Sequence, residues 1–146
     1  MCLHIRRGDY VGLANYLLLS KQYIEYIIQS YCNNLPIICV SDDVDWCKNN
    51  LNHLNNIKFA DLHSKDEYFL IDFYIPTFTK CNVCSPSSFC MGAALLNPNN
   101  KIYVPYPYYT CEEWNNREDL QIVPDYAVKI PYEMENKLNY IIPYIG

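Results

Sequence analysis

The sequence predicts an α/β fold: a Rossmann-like parallel sheet of about five strands with helices on both faces. Three observations carry that expectation. Short apolar runs of β character alternate with longer, one-faced amphipathic segments, the pattern of β-α-β units whose right-handed crossovers build a parallel sheet. One run, "LPIICV" at 35–40, is apolar throughout behind its proline, as a strand covered on both faces should be. Polar clusters follow three of the predicted strands, where an open α/β sheet gathers its ligands.

The elements follow in chain order. "CLHIR" (2–6) is the first strand. From Ser20, Tyr23, Ile24, Ile27, Ile28 and Tyr31 share one helical face, so 20–32 is an amphipathic helix. After "LPIICV", Ser41 or Asp42 can cap a helix that turns Val44, Cys47 and Leu51 inward. "NIKFA" (56–60) is a third strand. Ser64 and Glu67 form a capping-box pattern and open a helix through Phe69, Leu70 and Phe73, which Pro76 should end or kink. "KCNVCS" (80–85) is the fourth strand, "SSFCMGAALLN" (87–97) a small-residue helix, and "KIYVP" (101–105) the fifth strand. The tail, 109–146, holds several prolines and reads as irregular, with short helices at "EEWNNRE" and "YEMENKLNYII". No repeat or linker divides the chain, so 1–146 is one domain.

Composition narrows the functional classes. Hydrophobic residues make up 51% and charged residues 18%, as in folded globular proteins. The net charge of −5 disfavours nucleic acid and anionic membranes as partners. No stretch approaches the ~20 apolar residues of a membrane span, and no secretory pattern opens the chain, so a soluble, cytoplasmic protein is expected. In that compartment the eight cysteines are expected as buried free thiols. "CNVC" at 81–84 has half the spacing of a zinc site, but no second pair completes it; a metal or redox domain is the weaker reading.

The polar clusters are "HIRRGDY", "SDD" and "SPSS". His4 and Arg6 share a strand face, while Arg7 points the other way or begins the loop. Gly8 lets the chain turn, and Asp9 can orient a neighbouring arginine. A guanidinium fork matches two phosphate oxygens and keeps its charge. Asp42 and Asp43 can cap a helix or accept hydrogen bonds from a ribose or base edge. Ser87 and Ser88 can cap, or stand beside the free N–H groups of a helix N-terminus, a ready anion site. Neither GxGxxG nor GxxxxGK[ST] is present. Together these clusters point to a diphosphate held by an arginine and a helix N-terminus.

"HIRRGDYV" resembles the first signature of the α-1,2-fucosyltransferases, glycosyltransferase family 11, and similar motifs of α-1,6- and protein O-fucosyltransferases. "VSDDVDWCKNNL" is similar to that family's second segment, and "SSFCMGAALLNP" aligns without gaps to "STFSWWGAWLN". "KIYVP" falls on the strand that follows. The resemblance spans 2–108. It implies the donor-binding half of a GT-B enzyme that transfers L-fucose from GDP-fucose to a galactoside hydroxyl with inversion, without a metal or other cofactor. By the same resemblance Arg6 holds the β-phosphate, and Asp9 braces the arginines and is the candidate base. His4, Arg7 and Phe89 join the donor site, Asp42 or Asp43 contacts the guanosine, and Ser87 and Ser88 contact phosphate.

Some positions depart from that pattern. Met91 and Gly92 stand where the family has two tryptophans, and Pro76 where a histidine is usual. Family members carry about as much chain again before the first motif. The expected partners are therefore GDP-fucose, a galactose-containing glycan and a separate N-terminal half. The alternative is a non-catalytic nucleotide-sugar-binding module.

Overall fold

The computed structural model describes residues 1–32, 34–61, 68–135 and 139–141. Its sheet has six parallel strands in the order β3-β2-β1-β4-β5-β6. These are β1 (Cys2–Ile5), β2 (Ile37–Ser41), β3 (Ile57–Phe59), β4 (Cys81–Cys84), β5 (Lys101–Tyr106) and β6 (Val128–Pro131). Between them lie α1 (Lys21–Tyr31), α2 (Val44–Leu51), α3 (Tyr68–Phe78), α4 (Ser88–Leu95) and the single turn α5 (Glu112–Asn115). The chain runs outward from β1 to β3, then crosses back to β4 and runs outward the other way. The order therefore reverses between β1 and β4, and the crevice at their carboxyl ends is the switch point of the sheet.

Burial explains the two-sided cover. Leu3 and Ile5 of β1 pack into a cluster with Tyr23, Ile24 and Ile27 of α1 and Cys47 and Leu51 of α2. On other parts of the sheet, Cys2 packs with Val40 and Ile75, and Cys90, Met91 and Ala94 of α4 pack on Ile102 and Val104. Each large aliphatic side chain so enclosed contributes about 1.5–3 kcal/mol. Ser20 caps α1, its hydroxyl accepting from the Tyr23 N–H at 3.2 Å.

Four local expectations change. The cap of α2 is Asp43, which accepts from the Trp46 N–H at 3.1 Å, while the Ser41 hydroxyl accepts from the Asp43 N–H at 3.0 Å. Pro76 does not end α3, which continues to Phe78; Asn82 Nδ2 donates to the Pro76 carbonyl at 3.0 Å and holds the last turn. The capping box at Ser64 and Glu67 lies outside the described residues.

The tail is the third change. It contributes β6 and a pair of antiparallel strands, β7 (Glu133–Glu135) and β8 (Asn139–Ile141), where irregular chain and a helix were expected. Ile130 is fully buried beside α1, and the Tyr23 hydroxyl donates to its carbonyl at 2.9 Å. Pro131 is tolerated because β6 is an edge strand.

The fourth change concerns the cysteines. Cys84 and Cys90, brought to a Cα separation of 5.9 Å by the turn from β4 into α4, form a disulfide. The other six are free: Cys2, Cys32, Cys39, Cys47 and Cys81 are buried and Cys111 is partly exposed. Cys81 faces not its motif partner but Cys32, the sulfurs 3.3 Å apart. Burial pushes the Cys2 thiol up to about 12, as befits a packing group. No described helix is long and apolar enough to cross a membrane.

Candidate functional site

Ser85, fully buried just past β4, ties the two strands of the switch point together. Its backbone N–H donates to the His4 carbonyl at 3.1 Å, and its hydroxyl accepts from the Arg6 N–H at 2.9 Å and lies 3.0 Å from His4 Nδ1. His4 is only 4% exposed, and burial, aided by the Arg6 charge, lowers its pKa to about 4. The imidazole is neutral at neutral pH and serves as a hydrogen-bonding floor to the crevice.

After β1 the chain makes a single 3-10 turn over Gly8–Tyr10. Gly8 sits under a close approach: a Cβ there would lie 2.3 Å from Asp42 Oδ2 and would push that carboxylate aside. Asp42, from the end of β2, accepts from the Arg7 N–H at 2.8 Å and pairs with Arg6 Nη1 at 3.2 Å. Arg6 Nη2 also meets Asp9 Oδ1 at 2.8 Å, yet its side chain stays 34% exposed. The two arginines differ in kind. Arg7 turns toward α2, its Nε 3.2 Å from Asp43 Oδ2 and its guanidinium carbon 4.0 Å from the centre of the Trp46 ring. Asp42 and Asp43 thus both face the arginine loop. Arg6 is the cation left within reach of a ligand, held by part-exposed pairs that an anion can displace at small cost.

The opposite wall is the N-terminus of α4. Ser87 occupies the N-cap position without a side-chain cap bond, and its N–H donates to the Tyr108 hydroxyl at 2.9 Å. Ser88 opens the helix at the surface. The Phe89 ring centre lies 6.0 Å from that of His4 and 5.3 Å from that of Phe73. The structure therefore gathers His4, Arg6, Asp9 and Asp42 at the carboxyl ends of β1 and β2, with Arg7 and Asp43 paired beside them and the Ser87–Phe89 turn following the neighbouring strand β4.

Beside this crevice is a cavity of about 240 Å³ lined by Tyr10, Tyr16, Ser87, Tyr108, Tyr109 and Trp114 among others. Sequence reasoning missed these aromatics and Ser85. A signal for the aromatics existed in "YPYYTCEEW", an aromatic-rich stretch at the carboxyl end of the fifth strand. Ser85 opens the "SPSS" cluster, but its role was not legible there because its partners lie about eighty residues away on β1. Among the described residues, no group of three His, Cys, Asp or Glu side chains could hold a metal ion.

Comparison with known proteins gives this geometry its context. The family model described as glycosyl transferase family 11 matches residues 1–124. The chain belongs to that family. It is 31% identical over 127 residues to an α-1,2-colitosyltransferase of Escherichia coli, covering 78% of this chain and 42% of that protein. It is 32% identical over 103 residues to the O-antigen biosynthesis glycosyltransferase WbnK of E. coli, covering 65% of this chain and 33% of that protein. The chain thus spans less than half the length of these relatives. No solved structure matches it. The family 11 match includes every element of the crevice, from β1 through β5, and stops short of β6.

Proposed function

We propose that this family 11 chain binds GDP-fucose and, when an acceptor is seated, passes L-fucose with inversion to a galactoside hydroxyl. The observation that carries the reading is the Arg6 guanidinium: part-exposed at the switch point of the sheet and backed by carboxylates. A diphosphate in the crevice would take Arg6 on one side and the N-terminus of α4 on the other. Both stabilise the negative charge that builds on the departing nucleotide as the sugar becomes oxocarbenium-like, and both are in place before the reaction. Asp9 is freed as the diphosphate takes over its partner, and becomes the candidate base for the acceptor hydroxyl. Asp42 remains bonded to the Arg7 N–H and holds the loop in register. The reading needs no metal.

The colitosyl relative supports a second reading of the sugar alone: colitose carried on the same nucleotide. Because the chain spans less than half the length of these relatives, we further propose that a segment outside this span supplies much of the acceptor cleft. Without it, the chain acts as a nucleotide-sugar-binding module. Calorimetry with GDP and GDP-fucose, followed by mass spectrometry of a β-galactoside incubated with donor, tests these statements in turn. Binding with product identifies a complete transferase. Binding without product identifies the module. No heat with either nucleotide refutes the donor assignment.

A further inference from the structure

The aromatic cavity borders the arginine loop. Tyr10 joins the two regions: the Arg6 guanidinium carbon is 5.4 Å from its ring centre, and the same ring lines the cavity. Tyr16 lies against Tyr10 at 4.1 Å between ring centres, and Trp114 meets both Tyr16 and Tyr109 edge-on at 5.5 Å. The walls are tied across: Thr110 donates its N–H to the Asn15 carbonyl at 3.3 Å and its hydroxyl to the Ala14 carbonyl. Two connections far apart in the chain therefore form one preformed box.

Its size and lining restrict the occupant. At about 240 Å³ it falls below the ~300–1,000 Å³ of sites that enclose whole drug-sized ligands, so it suits a single ring. Five aromatic residues line it together with Pro86, Leu120 and Ile122, while the Tyr hydroxyls, Ser87, Ser88 and Arg117 supply polar groups. Burial raises the Tyr10, Tyr108 and Tyr109 phenols, so all three stay protonated. An apolar face with a hydroxylated edge describes a pyranose.

We infer that this aromatic box seats a pyranose ring next to the diphosphate held by Arg6, with Trp114 and Tyr16 as its stacking walls. The inference rests on the donor reading above. The box adjoins Arg6 through Tyr10, so the group attached to the phosphate that Arg6 holds is the one within its reach, which favours the donor's own sugar over the acceptor's.

The test uses the full chain and three probes: GDP, GDP-fucose and methyl β-galactoside. Affinities are read by calorimetry and, in parallel, by Trp114 fluorescence in a Trp46→Phe background, Trp46 being the chain's other tryptophan. Trp114→Ala should leave the GDP dissociation constant unchanged and remove about a tenfold advantage of GDP-fucose over GDP, the scale of one lost ring-face contact. Trp114→Phe should keep most of that advantage, and Tyr16→Ala should repeat the loss. If methyl β-galactoside alone perturbs Trp114 and is lost in Trp114→Ala, the pyranose is the acceptor's. That result upholds the box even if GDP fails to bind, when only the donor reading falls. If GDP by itself perturbs Trp114, the box holds the base and the inference is wrong. It is equally wrong if Trp114→Ala weakens GDP and GDP-fucose alike, or if no probe senses Trp114.

Discussion

Replacing Arg6 with alanine separates folding from binding. The side chain makes two part-exposed ion pairs, with Asp9 at 2.8 Å and Asp42 at 3.2 Å. Such pairs contribute about 0–1 kcal/mol each, so the ligand-free variant should melt within a few degrees of the wild type. Binding is another matter. Hydrogen bonds to a charged group are worth about 1.5–3 kcal/mol, so losing the fork on phosphate should weaken GDP roughly 13–150-fold. At GDP equal to 100 times the wild-type dissociation constant, the wild type gains about 2.7 kcal/mol. The variant at the same concentration gains only about 0.3–1.3 kcal/mol by the same relation. For a domain of this size each kcal/mol moves Tm by about 2–4 °C. Differential scanning fluorimetry should then show a GDP-induced rise of about 5–11 °C in the wild type and about 1–5 °C in Arg6→Ala. Arg6→Lys should fall between, since it keeps the charge but not the fork. A rise of wild-type size in Arg6→Ala refutes the assignment of Arg6 to the phosphate.

Three further outcomes follow from the same crevice. Ser85→Ala strips a fully buried hydroxyl from the Arg6 N–H and His4, and urea denaturation should show a loss of about 1–3 kcal/mol. Gly8→Ala forces Asp42 off the loop, so GDP affinity should fall together with stability; adding Asp42→Ala should recover stability but not affinity. The third is a pH dependence. His4 has a folded pKa of about 4 against an ordinary 6.5, so between these values the unfolded chain binds the extra proton. Its contribution, about 3 kcal/mol, is complete above pH ~6.5 and disappears as pH falls toward ~4. Chemical denaturation across that window should show the decline, and His4→Gln should flatten it.

The alternation of apolar runs with amphipathic segments was enough to place β1 to β5 and the four longer helices, because each pattern is local and repeats within a few residues. The same local chemistry picked out the arginine motif, the Asp42–Asp43 pair and the Ser87–Ser88 turn as residues crowding strand ends. It did not assign partners. Strand alternation set Arg6 and Arg7 on opposite sides but named no partner for Arg7, and it is the position of α2 that turns Arg7 onto Trp46 and Asp43 while leaving Arg6 at the strand end. Asp42 reaches Arg6, and Ser85 reaches His4, because β1 sits between β2 and β4. The strand in the tail and the aromatic box have the same origin: Ile130 and Trp114 gain their roles from neighbours more than ninety residues away in the chain. Periodicity records which side of an element faces inward. Which groups meet there depends on the order of strands across the sheet, and that order is decided only when all the faces pack at once.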